Sequence, residues 1–438
     1  RAEVKTIVRL LASKENHELF GETEFQLRDL LMNWGAQSLD AALEARKKDY
    51  QGSSVTCPTC RESAKFVSYR PTTLTSFFGK VIYERADYHC SHCHRGWFSL
   101  DQELRVKMRK TPPAQEAMSL AGVVGSFQQS AERLLRRLAG LRVSGATIRR
   151  TTEAVGQHVA DHRAQGGTIG PETPWDWHEE AQGARVADLS LDATGVPQQG
   201  VKKEKQECKM PWVAAVFNPL FDRDRKSHRL KDARYVSGLM TLPEIGKQLR
   251  LECQAVGLNR ADKVIALTDG GNGLPECLLD AVSGQMKELV YILDFFHAAE
   301  HAVEFAKVVH PQDEAARTQQ ADQWCHTLKH QGGKALLGEL EAWDLSEPPP
   351  QVVEAHRRFT GYLRNNQDRM DYPLYVKNGW QIGSGVIESA CKSVVAVRLK
   401  APGMRWRPAG TTALCQLRAL YRSQHPLWDH YWRYTTVT

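Results

Sequence analysis

Two C-x-x-C pairs, Cys57-Pro-Thr-Cys60 and Cys90-Ser-His-Cys93, stand 29 residues apart in this chain, and no other feature narrows the local fold as far. Two such knuckles supply four thiolates at the tetrahedral geometry that zinc takes in structural sites. Phe66-Val-Ser-Tyr-Arg70 and Lys80-Val-Ile-Tyr-Glu84 are β-prone runs on either side of Gly79, so a hairpin returns the second knuckle to the first. The expectation is a zinc ribbon over residues 51–103 holding one structural Zn2+. A redox C-x-x-C is the rival, but it needs only one pair in a thioredoxin-like setting. His89, His92 and His94 crowd the second knuckle as alternative ligands. The other six cysteines are scattered at irregular separations, as buried thiols of a reducing compartment are.

The remainder is bounded by size and composition. At roughly 100 to 200 residues per domain, 438 residues make about three domains. Hydrophobic and charged shares of 42% and 25% are those of a globular protein, not of a disordered, collagenous or coiled-coil chain. No apolar run approaches the roughly 18 residues that cross a bilayer, and Arg1 to Leu10 lacks the apolar core of a signal peptide. A cytoplasmic location without membrane contact follows as the expectation. The net charge of +7 is modest, but Lys392 to Arg433 holds eight basic residues against one acid, Asp429. That imbalance suits a phosphate backbone; a solvated helix face is the plainer reading.

Residues 1–50 carry helical spacing, as do 104–165 beyond Pro112-Pro113. In the second block, Ser130–Leu138 and Ser144–Val159 are amphipathic segments joined through a turn containing Gly140, with Ser144 placed to cap the second. This is the form of a helix-turn-helix. Arg149 and Arg150 lie early in the second helix, where a major groove is read, and Arg136, Arg137 and Arg142 are placed for phosphates. A plain helical hairpin with a basic face accounts for the same residues.

After Gly166–Pro171 the period changes. Arg185–Asp192, Met210–Phe217 (ended by Asn218-Pro219) and Asp232–Ser237 read as strands, followed by a helix over Leu242–Val256, a strand over Lys263–Leu267, a helix over Leu274–Val282 and a strand over Glu288–Leu293. The order β-β-β-α-β-α-β gives a mixed sheet with helices on its faces, the arrangement of a ribonuclease H-like core. Its first part spans 184–297. An α-helical insertion occupies 298–378, and 379–438 returns to the sheet through a helix over Gln381–Lys400.

In that topology Asp192 ends the first strand and Asp269 follows the fourth, so both carboxylates emerge along one edge of the sheet. Glu388, early in the returning helix, completes a set of three. Oxygen ligands of this kind hold two hard divalent cations for in-line displacement at phosphate. Singly, each residue has an ordinary explanation: a turn before Gly195, an Asp-Gly turn, a surface pair with Lys392. His297-Ala-Ala-Glu-His301 also matches the inverted zinc-protease motif, but no third ligand is apparent downstream.

Leu189-Ser-Leu-Asp-Ala-Thr-Gly-Val-Pro197, Leu267-Thr-Asp-Gly270, Leu293-Asp-Phe-Phe-His-Ala-Ala-Glu-His301, Gly383–Lys400 and Gly403-Met-Arg-Trp406 resemble the ISKra-type bacterial insertion-sequence transposases over roughly residues 50–425. The resemblance implies a DDE active site on a ribonuclease H-like fold, carried by Asp192, Asp269 and Glu388, with two Mg2+ or Mn2+ ions. Asp294 and His297 match the Asp-x-x-His signature of such enzymes with helical insertions. Where family members often carry an aromatic residue shortly after the second Asp, this chain has Gly270-Gly-Asn-Gly273. The implied function is cleavage of the element's terminal inverted repeats and their joining to target DNA, by at least a dimer on double-stranded DNA, at the bacterial nucleoid. The zinc ribbon and helix-turn-helix would recognise the ends. Lys392, Arg398, Lys400, Arg405 and Arg407 would hold backbone, and Trp406 a base near the cut; the plainer reading packs Trp406 in the core beside Met404 and Pro408. A zinc-ribbon regulator with an inactive nuclease domain and a structure-specific nuclease without strand transfer are the alternatives. Short inverted repeats flanking the coding region discriminate between them.

Overall fold

A computed structural model describes residues 2–15, 20–45, 50–180, 182–200, 202, 204–222, 227–343, 348–424 and 427–434. The chain forms two compact units, one running to Val155 and joined by Asp429 onward, the other spanning Gly156–Trp428. The division falls within a helix, between Val155 and Gly156.

In the first unit the helical opening is α1 (Ala2–Ala12) and α2 (Glu22–Ala45); residues 16–19 and 46–49 of that expectation lie outside the described residues. Strands β1 (Ser54–Thr56), β2 (Ser63–Ser76), β3 (Gly79–Cys90) and β4 (Gly96–Phe98) form an antiparallel sheet in that order. β2 and β3 are one long hairpin closed by Phe77-Phe78, with Ser76 opposite Gly79. Gly79 has φ +123°, a conformation that L side chains rarely adopt, so the tight return depends on glycine. Leu74, Val81 and Tyr83 of this hairpin share a core with Ala36 of α2 and Leu100 of α3 (Ser99–Glu103).

Pro112 and Pro113 begin α4 (Pro112–Val124), where a missing N–H costs nothing. α5 (Phe127–Gln129) continues as a π-helix over Ser130–Leu138, and α6 (Gly145–Ala164) follows. Ser144 caps α6 as expected, its hydroxyl accepting from the Thr147 N–H at 3.2 Å. Met118, Leu135 and Ile148 place α4, the π-helix and α6 in one core.

The second unit is built on a mixed sheet. A short β5 (His178–Glu179) pairs with the start of β6 (Arg185–Ala193). A small hairpin of β7 (Val196–Gln199) and β8 (Lys205–Lys209) precedes β9 (Trp212–Asp222) and β10 (Ser227–Gly238). Then come α7 (Leu242–Ala255), β11 (Lys263–Thr268), α8 (Leu274–Val282) and β12 (Glu288–Leu293). The sheet order is β10-β9-β6-β11-β12. β9 is antiparallel to both β6 and β10, whereas β11 is parallel to β6 and β12. Alternation along β11 divides its side chains between two cores. Val264 and Ala266 pack with Ile245 and Leu249 of α7 and Leu278 of α8. Ile265 and Leu267 join the helical insertion, which is α9 (Phe295–Val309), α10 (Glu314–Gln331), α11 (Gly333–Glu341), α12 (Pro350–Asn366) and α13 (Tyr372–Lys377). Residues 344–347 of the insertion lie outside the described residues. The return is α14 (Gly385–Ala390), a π-helical stretch over Cys391–Ala396, α15 (Val397–Leu399), α16 (Pro408–Arg422) and α17 (Leu427–Tyr434).

Two local readings need correction. β9 does not stop at Asn218-Pro219 but runs on to Asp222. Its pairing with β6 ends at Phe217, so Pro219 sits where one edge of the strand asks no N–H for a partner. The Asn218 side chain is buried, donating to the Asp176 carbonyl (2.9 Å) and accepting from the His178 N–H (3.1 Å). The β7–β8 hairpin was not anticipated, because all five residues of β8 are exposed and its sequence shows no apolar alternation.

Glu252 of α7 is buried between two arginines, accepting from Arg163 at 2.9 Å and Arg234 at 3.2 Å, and Arg163 also donates to Gln416 (2.8 Å). Removing one member leaves buried charge uncompensated, which costs about 3–5 kcal/mol. Glu252→Ala is expected to lower unfolding stability by that amount in urea titrations; a change below about 1 kcal/mol would show that the cluster is solvated.

Candidate functional site

Parallel pairing of β6 and β11 aligns Ser190 with Leu267. Beyond the last paired position, Asp192 lies near the end of β6 and Asp269 directly follows β11, so both carboxylates sit at the carboxyl ends of adjacent strands. Asp192 is half-buried; its Oδ1 accepts from the Ala193 N–H (2.6 Å) and its Oδ2 from the Cys391 thiol (3.6 Å). Asp269 is exposed and accepts from the Gly271 N–H (3.0 Å). The turn after it needs glycine at 270: φ is +83°, and a Cβ there would meet Leu293 at 2.4 Å. Glu388 is exposed on α14, its carboxylate accepting from the Ser384 hydroxyl.

Burial raises the Asp192 carboxyl above its ordinary value. The Ala193 N–H and the Cys391 thiol oppose this, while the charges of Asp269 and Glu388 add to it. Asp269 and Glu388 therefore both lie close enough for their charges to act on Asp192. The oxygens of the three do not all lie within 4.8 Å of each other; among the described residues only the four cysteines form so tight a group. Carboxylates spread around two cations about 3.5–4 Å apart do not need to converge as ligands of a single ion do, so the donor set is compatible with such a pair. Cys391 was missed by sequence reasoning. It lies three residues after Glu388, one helical turn along the same face, and burial followed by the Asp192 charge raises its thiol.

Asp294 and His297 are placed differently from each other. Asp294 is buried at the end of β12, where its Oδ1 caps α9 through the Phe296 N–H (2.8 Å). Its own N–H donates to the Thr268 carbonyl (2.9 Å), one residue before Asp269. This is a joint between strand ends. His297 is half-exposed, 3.7 Å from Glu300, with its ring 5.3 Å from that of His301. The His301 ring lies 4.0 Å from that of Tyr362, tilted by 34°. No metal-binding group forms from His297, Glu300 and His301, which leaves the zinc-protease reading without a centre.

The basic C-terminal segment divides in two. Lys392, Lys400, Arg405 and Arg407 are exposed, and Lys400 bonds Thr194, two residues beyond Asp192, at 2.7 Å. Arg398 and Trp406 are buried, which corrects their expected role on DNA. The Arg398 guanidinium lies 5.0 Å from the Trp406 ring centre, and the indole N–H donates to the Leu399 carbonyl (3.0 Å). Arg418 is buried as well, donating to the carbonyls of Val394 (2.6 Å) and Ser393. These belong to the π-helical stretch, so the buried guanidinium ties that stretch to α16.

In the first unit, Arg136, Arg149 and Arg150 are exposed. Arg142 pairs with Asp29 (3.2 Å), and Arg137 lies 4.3 Å from the Phe25 ring centre, so these two are partly engaged by α2.

The Sγ atoms of Cys57 and Cys93 are 3.7 Å apart, those of Cys60 and Cys90 3.5 Å. Zinc–sulfur bonds of about 2.3 Å place tetrahedral sulfurs roughly 3.8 Å apart, so the group can hold a metal ion. The two knuckles share a conformation: Arg61 and His94, each directly after the second cysteine, have φ of 64° and 55°. Backbone N–H groups of Cys60 and Thr59 lower the Cys57 thiol to about 6, while burial and the neighbouring sulfurs raise those of Cys60 and Cys93, so the thiols of the group compete for protons that a bound metal would displace. His89, His92 and His94 are exposed and outside the group.

The model of an uncharacterised protein family, UPF0236, matches residues 15–210, less than half of the chain. No curated protein matches. The matched span contains the four cysteines and Asp192 but neither Asp269 nor Glu388. No helix among the described residues is long and apolar enough to cross a membrane.

Purified protein is expected to carry about one zinc per chain, and Cys60→Ser or Cys90→Ser to lose it together with the thermal stability of the first unit. A metal-free preparation of unchanged stability would contradict this.

Proposed function

We propose that this protein is a DNA transposase of a bacterial insertion sequence, in which a ribonuclease H-like domain cuts the element's ends and joins them to target DNA. The observation that supports the reading is the parallel pairing of β6 and β11, at whose carboxyl ends Asp192 and Asp269 lie, together with the charges of Asp269 and of Glu388 on α14 that both act on Asp192. The sheet order, three meandering strands followed by two parallel crossover strands, supports the same reading.

Asp192, Asp269 and Glu388 would hold two Mg2+ or Mn2+ ions, which activate the attacking hydroxyl and neutralise charge on the phosphate when bound. Asp192 offers its oxygens from a rigid strand, held by the Ala193 N–H and the Cys391 thiol. Asp269 is aimed by its turn, and Glu388 by Ser384. Lys400, fixed beside Asp192 through Thr194, and the exposed Lys392, Arg405 and Arg407 provide cations for the DNA backbone. In the first unit, the cysteine knuckles take structural zinc, and the π-helix with α6 is a helix-turn-helix presenting Arg149 and Arg150 to the element's ends. His297 has the exposure needed to meet a phosphate, whereas Asp294 acts by holding strand ends together.

Asp192→Asn, Asp269→Asn and Glu388→Gln are each expected to reduce Mg2+-dependent end cleavage and joining by at least about a hundredfold, since each removes a ligand. Gel-shift affinity for end DNA should stay within about twofold, because no backbone contact is lost. A variant that cleaves at near-parental rate removes that residue from the set.

A further inference from the structure

Between the cysteine-bearing sheet and α4 runs a segment with four cations in six residues and no acid, Arg105-Val-Lys-Met-Arg-Lys110. Arg105, Lys107 and Arg109 are exposed, and Lys110 is half-buried. Lys107–Lys110 is a tight turn, closed by the Lys110 N–H on the Lys107 carbonyl (3.0 Å). Its two central residues, Met108 and Arg109, have φ of 53° and 55°, and Arg105 just before it has 55°. Positive φ at both centres of a turn is the habit of Asn-Gly. In longer side chains it costs energy and persists only where the surroundings impose it.

The surroundings act from two sides. The Thr75 N–H of β2 donates to the Arg109 carbonyl (2.9 Å), and the Thr75 carbonyl accepts from the Thr111 N–H (3.0 Å). Buried Gln115 of α4 donates to the carbonyls of Lys107 (3.4 Å) and Lys110 (3.1 Å). One turn along the same face of α4, Met118 meets the Thr151 hydroxyl with its sulfur (3.6 Å) and the Thr152 hydroxyl with its carbonyl (3.4 Å). Those threonines directly follow Arg149 and Arg150 of α6, so α4 holds the turn and the two exposed arginines as neighbours. Burial, then the charge of Arg150, lowers Lys110, as expected of cations held close together.

Acids around the turn are committed elsewhere. Asp101, whose carbonyl accepts from the Val106 N–H (2.9 Å), pairs with Arg85 and accepts from the Tyr83 hydroxyl. Glu103 accepts from Gln51 (3.5 Å), and Glu153 faces Arg149 at 3.9 Å. Among the described residues, Arg105, Lys107, Arg109, Lys110 and Arg150 form no ion pair. Cations fixed together without counter-charges repel one another and favour a polyanion that supplies them.

We infer that the Lys107–Lys110 turn, with Arg105 and Arg150, grips the sugar-phosphate backbone of duplex DNA beside the stretch that α6 reads. The inference rests on the reading of the first unit as the part that holds the element's ends. A rigid group of cations next to a groove-reading helix matches a backbone that repeats its charge at regular intervals. A membrane surface asks for a broad apolar face, and the turn offers Met108 alone.

The test uses the full chain and two glycine variants that relieve the same backbone conformation, only one of which removes a charge. Arg109→Gly and Met108→Gly should both unfold at or above the parental temperature. Binding is titrated with a duplex carrying the terminal inverted repeat and with an unrelated duplex of equal length. At 0.1 M salt Arg109→Gly should lose about tenfold in affinity for both, and flatten the plot of log affinity against log salt by about one unit. Met108→Gly should stay within about twofold of the parent at an unchanged slope. Adding Lys107→Ala to Arg109→Gly should flatten the plot by about one unit more. Parental affinity and slope in that double variant overturn the inference. So does a loss confined to the inverted repeat, which would mean base reading, or an equal loss in the two glycine variants, which would make the shape of the turn responsible rather than its charge. Parental binding to phosphatidylserine vesicles in preference to either duplex overturns it in favour of a membrane. If the parent binds neither duplex, the reading of the first unit falls together with the grip, whereas parental binding that survives the double variant removes the grip alone.

Discussion

The parallel pairing of β6 with β11 is the constraint on which the second unit depends. Its register is set by burial on both faces, since Val264 and Ala266 belong to the core under α7 and α8, and Ile265 and Leu267 to the core of the helical insertion. A slip of one residue would exchange those faces and carry Asp192 away from Asp269. The apolar pattern of β11 thus acts on the carboxylates without touching them. The same alternation on β6 leaves one face polar, with Asp188, Ser190 and Asp192 in succession, and that face receives Ser384 and Ile387 from the returning chain.

The returning helix is held by charge placed inside the protein. Its π-helical stretch begins three residues after Glu388, at Cys391, and Arg418 meets the carbonyls of Ser393 and Val394 from α16. Burial, then the charges of neighbouring arginines, brings both Arg398 and Arg418 down to about 10, and both remain cationic at neutral pH. Arginines that look like a nucleic-acid surface in the sequence are in part the supports of the carboxylate site. The cations left at the surface, Lys392, Lys400, Arg405 and Arg407, are interleaved with these buried ones.

Much of this was legible in the sequence. Leu274–Val282 and Glu288–Leu293 occupy the spans that their periodicity predicts, and the paired knuckles announced the cysteine cluster by spacing alone. What could not be read has physical reasons. β8 is exposed on both faces, so it carries no alternation. Asn218-Pro219 has turn composition, but its Pro lies where the strand has become an edge. Composition counts charge without revealing burial, which hid Arg398 and Arg418; for Trp406 the core reading, beside Met404 and Pro408, is the one that holds. Cys391 owes its interest to Asp192, which is distant in sequence, whereas the two-residue spacing of Asp188, Ser190 and Asp192 was already a sign of a polar strand face.

The central claim is that Asp192, Asp269 and Glu388 form a divalent-cation site distinct from the cysteine group. Crystals soaked in Mn2+, with anomalous data collected at the manganese and zinc edges, test it directly. The account predicts manganese density between those three carboxylates and zinc density among Cys57, Cys60, Cys90 and Cys93. Well-ordered carboxylates with no manganese between them, in crystals where Mn2+ is bound elsewhere, would contradict it.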